Sequence, residues 1–221
     1  MSWFNVNLAL NRIQQYLTRW SALIQNLNQN VRPSSMFECY SFISVVDAFD
    51  SRGYNVQRMG PPNQIIFKRA IKGDPNARTY FIVSNSNMDH EIRLNQAYKN
   101  TDDIYFNLDI VISNGTGCLN RCVLEPQNMF TFCECKHYET FYPSTCANFV
   151  GLARIVMPKN VLWNPTISHH PYPPPSLLVS GRASSNVLKM SSVVIRKNYH
   201  IRFFENISPR GQTMATLTRW I

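Results

Sequence analysis

Residues 105–113, YFNLDIVIS, and 129–137, MFTFCECKH, carry the fold of this chain. Both are short runs rich in β-branched and aromatic residues, which predicts two strands. The segment between them, NGTGCLNRCVLEPQ, is dense in turn-forming residues and predicts a long hairpin loop. Side chains alternate along a strand, so Glu134 and Lys136 share one face while Cys133 and Cys135 take the other. Asp109 heads the apolar run IVI on the preceding strand, and hairpin pairing would set it opposite Glu134. Charged side chains are costly inside an apolar strand unless they have a partner or a task. Two readings follow: a structural acid–lysine pair on an edge strand, or two carboxylates and an ammonium converging on a site. The second has a definite chemistry. Hydrolysis of a phosphodiester needs carboxylates to hold Mg²⁺ or Mn²⁺, an activated water, and positive charge to offset the developing negative charge.

Working outward, residues 1–30 predict one long amphipathic helix. Trp3, Val6, Leu10, Ile13, Leu17, Trp20, Ile24 and Leu27 recur at steps of three and four. Few charges flank this seam, so it either packs on the chain's own core or serves a protein partner or homodimer. Arg32-Pro33-Ser34-Ser35 ends it, and Ser35 with Glu38 reads as a capping box for a second helix. That helix has the stripe Phe37, Tyr40, Ile43, Val46, Phe49 and stops at Gly53. Strands are predicted at 54–58, 65–69 and 79–84; residues 91–98 alternate like a strand but fit a helix too. Beyond the second key strand come a helix over 144–157, a Pro-rich spacer at 163–176, a strand at 177–180, a helix near 184–193 and a strand at 200–204. The expected organisation is an N-terminal helix, 1–30, and one α/β domain, 31–221.

This order of elements, with NLDIVIS and FTFCECKHYE as its second and third motifs and FECYSFISVVDAFDSRGYNV as its first helix, resembles the PD-(D/E)XK, or restriction-endonuclease-like, nuclease superfamily. The resemblance implies a central mixed sheet flanked by helices. It implies Asp109 and Glu134 as metal ligands, Lys136 orienting and acidifying the attacking water, and Glu38 as an accessory ligand. The proline that often precedes the aspartate is replaced by Leu108. The activity implied is Mg²⁺-dependent (or Mn²⁺-dependent) endonucleolytic cleavage, with DNA as the expected substrate and defence or restriction as the expected setting. The rival reading is a non-catalytic nucleic-acid-binding or assembly subunit with the same fold.

Charge supports a polyanionic partner. The net formal charge is +9 over 221 residues. Residues 151–221 hold nine Lys and Arg against one acid, Glu205, whereas residues 1–150 hold 13 against 12. Clustered cations of this kind bind phosphate with release of counterions. Arg154, Lys159, Lys189, Arg196 and Lys197 are the candidate phosphate contacts. No base-reading module is evident, so targeting is expected from substrate structure, oligomerisation or a partner. A zinc site joining Cys118 and Cys122 to Cys133 and Cys135 is disfavoured, since the first pair falls near the hairpin tip and the second well down the strand. His169-His170 lies among prolines and reads as a loop pair, and Cys146 has no thiol-hydrolase signature around it. No run approaches 18 apolar residues and no leader pattern opens the sequence, so a cytoplasmic protein without a membrane partner is expected.

Overall fold

The computed structural model describes residues 4–20, 32–61, 66–67, 77–116, 119–120, 123–157, 173–196, 199–210 and 217–220. In chain order these form α1 (Val6–Trp20), α2 (Pro33–Ser51), β1 (Asn55–Met59), β2 (Tyr80–Ser84), β3 (Asp89–Lys99), β4 (Tyr105–Ser113), β5 (Leu119–Asn120), β6 (Val123–Leu124), β7 (Met129–Lys136) and β8 (Thr140–Phe141). There follow α3 (Pro143–Val156), β9 (Ser176–Val179), β10 (Arg182–Ala183), α4 (Ser185–Arg196) and β11 (Arg202–Phe204). The architecture is α/β, a mixed central sheet with helices on both faces. Its main path runs β1-β2-β3-β4-β7-β9-β11. The first five strands form an antiparallel meander, and β9 and β11 add in parallel to β7. A parallel addition needs a crossover, which α3 supplies between β7 and β9 and α4 between β9 and β11.

Two cores sandwich this sheet. Phe37, Phe42, Ile43, Val46 and Phe49 of α2 pack on Phe81, Ile92, Ile110, Cys133, Cys135 and Leu178. On the opposite face Cys146, Phe149 and Ala153 of α3, with Val187 and Val194 of α4, cover Val111, Phe132, Leu177 and Val179. The predicted stripe of α2 is buried, but so are Met36, Cys39, Ser44, Val45 and Ala48 around the rest of the helix. The cause is α1, which lies over α2 and buries Ala9, Leu10, Ile13 and Leu17 in the same core. Arg19 fastens the two helices through Asp47 at 2.8 Å and Asp50 at 3.5 Å. Burial still pushes the Asp47 carboxyl up, against the opposing pull of Arg19. The N-terminal stripe is thus covered within the chain as far as Leu17; Trp3, Ile24 and Leu27 lie outside the described residues.

Several expectations need correcting. The capping box of Ser35 and Glu38 is absent, because α2 begins three residues earlier with Pro33 in its first turn and Arg32 at the cap, without a side-chain cap bond. Proline fits there because the first-turn amide has no partner to lose. The helix does stop at Gly53, whose φ of +84° closes the end with Gly53 N–H donating to Asp50 O and Tyr54 N–H to Phe49 O. Residues 66–67 are not in a strand, and the remainder of the predicted 65–69 run lies outside the described residues. Residues 91–98 form a strand, the middle of β3. The expected hairpin between β4 and β7 carries its own small excursion, since β6 pairs with β5 and also lies parallel to β3 at Ala97 and Tyr98. Among the described residues no helix is long and apolar enough to cross a membrane.

Candidate active site

The antiparallel ladder between β4 and β7 runs to Ile110 opposite Cys133. One rung further, Asp109 meets Glu134, and side chains take over from backbone. The Cys135 N–H donates to Asp109 Oδ2 at 2.8 Å, and the Asp109 N–H points at Glu134 Oε1 at 3.5 Å. Each carboxylate thus reaches across to an amide of the opposite strand, which holds both at the point where the strands part. Lys136, two residues along β7 on the Glu134 face, brings its Nζ to 3.0 Å from Glu134 Oε2 and 3.8 Å from Asp109 Oδ2. The predicted trio of Asp109, Glu134 and Lys136 therefore comes together, whereas Cys133 and Cys135 turn into the α2 core. Burial pushes both thiols well above the ordinary range, so they remain apolar packing groups.

The electrostatics follow from two acids sharing one cation. Burial and then the Asp109 charge raise the Glu134 carboxyl to about 7, against the opposing pull of Lys136. For Lys136, burial favours the neutral amine but is outweighed by Glu134 and Asp109, so its ammonium is held more firmly than usual. Glu134 is nearly covered, its side chain 9% exposed, while Lys136 at 37% reaches solvent. Both line a pocket of about 240 Å³ between β7 and α3, completed by Tyr138, Thr145, Asn148, Phe149, Leu152 and Leu177. Thr145 and Asn148 carry no signal in the sequence; they reach the site only because α3 crosses over β7. Gly181 helps shape this region, since a side chain there would collide with the carbonyls of Tyr138 and Glu139.

Glu38 lies on α2, on the sheet face opposite Glu134 and Lys136, and its charge helps to raise the Cys135 thiol. Among the described residues, no three of His, Cys, Asp and Glu gather as a metal-holding group. Arg154 on α3 and Lys189 on α4 are exposed and do not line the pocket. Lys159 and Lys197 lie outside the described residues, as does the side chain of Arg196, and so do Cys118, Cys122, His169 and His170. His137 is tied to the other face, edge-on to Phe4 at 5.4 Å with its Nδ1 3.3 Å from Ser180 Oγ.

In comparisons with family models and with curated proteins, the chain matches none of them.

Proposed function

We propose that this protein is a metal-dependent nuclease of the restriction-endonuclease-like kind that hydrolyses phosphodiester bonds in DNA. One observation carries the reading: Asp109 and Glu134 face each other on one rung, with Lys136 bonded to Glu134 at the mouth of a pocket. The element order supports it as well, with a helix, an antiparallel meander bearing the two acids, a crossover helix and a parallel strand. The carboxylates are hard oxygen donors, and Glu134 is raised first by burial and then by the neighbouring Asp109 charge, with a single lysine shared between the two acids. That donor set fits Mg²⁺ or Mn²⁺, with Asp109 and Glu134 as the residues that would hold it. When bound, the ion supplies Lewis-acid polarisation of the phosphate and a lowered pKa for the attacking water.

The chain's own groups do the rest. The Cys135 amide holds Asp109 and the Lys136 ammonium holds Glu134, so both carboxylates are oriented in advance. Lys136 offsets charge on the phosphate oxygens and orients the incoming water. The basic residues 151–221, among them Arg154 and Lys189, provide sequence-independent attraction for the backbone. Restriction or defence, with targeting supplied by a partner or by self-association, suits a chain in which the expected chemistry is nucleolytic and no base-reading module is evident.

The test is incubation of the full chain with supercoiled plasmid and labelled oligonucleotides, with and without Mg²⁺ or Mn²⁺. Cutting that requires the metal and disappears in Asp109→Ala, Glu134→Ala and Lys136→Ala, with DNA binding retained, supports the nuclease. Binding without cutting under any divalent metal leaves a nucleic-acid-binding subunit instead.

A further inference from the structure

Strands β3 and β4 exchange faces at a single rung. On one side of it Ile92 and Leu94 pair with Ile112 and Ile110, all four in the α2 core. On the other side Tyr98 pairs with Phe106, and Tyr98, Phe106 and Leu108 lie in the α3 core. Residues two apart on a regular strand share a face, so unbroken strands would put Leu108 with Ile110 and Tyr98 with Leu94, whereas each pair is divided between the two cores. The switch therefore occurs between them. The rung at the switch is Asn95 opposite Asp109, a gap in a ladder that otherwise runs from Ile92↔Ile112 to Lys99↔Tyr105.

Asn95 supplies the turn. Its φ is +52°, a left-handed conformation in the middle of an 11-residue strand. Asparagine tolerates that region better than most residues, and a β-branched residue hardly enters it. Asn95 is buried, and Arg78 Nη1 donates to its carbonyl at 3.2 Å. Its side chain makes no hydrogen bond among the described residues, so the position uses the residue for its backbone. The consequence falls on Asp109. Because both strands rotate at that rung, its carboxylate turns to β7, where it accepts the Cys135 N–H. Strained backbone of this sort is kept where surrounding structure over-determines it, often beside functional groups.

We propose that Asn95 is a positioning residue, whose left-handed backbone sets the Asp109 carboxylate beside Glu134. The catalytic part of this rests on the nuclease reading; the geometric part does not. The test compares Asn95→Gly, Asn95→Ala and Asn95→Val by hydrogen exchange of the Cys135 amide in ¹⁵N NMR, by thermal melting, and by metal-dependent cleavage. Glycine adopts φ +52° without penalty, so Asn95→Gly keeps Cys135 protection and kcat within about twofold, with an equal or higher Tm. In Asn95→Val, protection of Cys135 falls about tenfold or more, and kcat falls further than KM changes, because alignment rather than binding is lost. Asn95→Ala is the milder variant that stays folded if valine does not, and it shifts in the same direction. Loss of Cys135 protection in a folded Asn95→Gly, or full retention in both Asn95→Ala and Asn95→Val, overturns the proposal. Absence of cleavage by the wild type removes the nuclease reading, while the Cys135 exchange still decides the role of Asn95.

Discussion

Two strands of the sheet carry the same pattern, an acid and a base two residues apart: Glu91-Ile-Arg93 on β3 and Glu134-Cys-Lys136 on β7. Their fates differ. Glu91 and Arg93 meet at 2.9 Å with side chains 4% and 8% exposed, and Arg93 is roofed by the Tyr80 ring at 3.6 Å. Glu134 and Lys136 meet at 3.0 Å, but a second carboxylate joins them and the lysine opens to a pocket. On β3 the cation lies in a buried pair beneath an aromatic ring. On β7 one cation serves two acids, one of which holds its proton to about 7. The motif is the same on both strands; what differs is that Arg93 is covered whereas Lys136 reaches solvent beside a second carboxylate.

The largest difference between the two strands is expected in activity. On the proposed nuclease reading, Glu134→Gln or Asp109→Asn lowers the rate of Mg²⁺-dependent plasmid cleavage by on the order of 10²–10³-fold or more, with DNA affinity nearly unchanged. Glu91→Gln, by contrast, leaves the rate per folded molecule alone. Equal losses from β3 and β7 substitutions in folded protein would falsify the division of roles.

Next comes stability. Removing one member of this buried pair, as in Arg93→Met, takes the Arg93 partner from a buried carboxylate and costs about 3–5 kcal/mol, read from the urea midpoint. The double variant Glu91→Leu/Arg93→Met recovers most of that loss, since no charge is then stranded.

The third contrast is in pH. Folding raises the Glu134 pKa from 4.5 to about 7, so the native state binds this proton more tightly than the unfolded chain. That contribution to stability is complete below about pH 4.5 and is lost as pH rises through about 7. The stability of wild type minus that of Glu134→Gln therefore falls across this window, by up to about 1.4 kcal/mol per pH unit. His90 and His137, both held below the usual histidine range by burial, tilt the curve the other way in acid but are present in both proteins and cancel. A flat difference between pH 4.5 and 7 argues that Glu134 titrates like an ordinary surface acid.

The smallest effect is expected at Glu38. Lying beyond the sheet from Glu134 and acting on Cys135, it serves at most as an outlying accessory carboxylate, and Glu38→Gln slows cleavage by less than about tenfold. A loss matching that of Asp109→Asn would place Glu38 with Asp109 and Glu134 in the proposed metal-holding set.

Much of this was legible in the residues. The bounds 105–113 for β4 emerge from composition alone, and the shared face of Glu134 and Lys136 follows from the two-residue period without any knowledge of the fold. Asp109 was legible only on condition of register, which a 15-residue loop with its own strands does not specify. β3 was ambiguous because its buried residues include Glu91, Arg93, Asn95 and Gln96, and polar side chains erase the apolar alternation that marks a strand. The full burial of α2 was hidden because a helix stripe reports one contact face, whereas α1 adds a second. Thr145 and Asn148 depend on a crossover between distant segments, and the sign of φ at Asn95 leaves only the faint trace that asparagine is permitted there.

The parallel pairing of β7 with β9 also sets an order of assembly. Asp109 and Glu134 sit on strands joined through a local meander, so loop closure brings them together cheaply. Leu177, which lies beside Glu134 on β9 and lines the pocket, arrives only after the α3 crossover and the long segment following it. Contacts of such high sequence separation form slowly. Local closure thus favours the pairing of Asp109 with Glu134 ahead of the wall that Leu177 adds beside them, so the emerging chain carries these charged groups for a time without that cover.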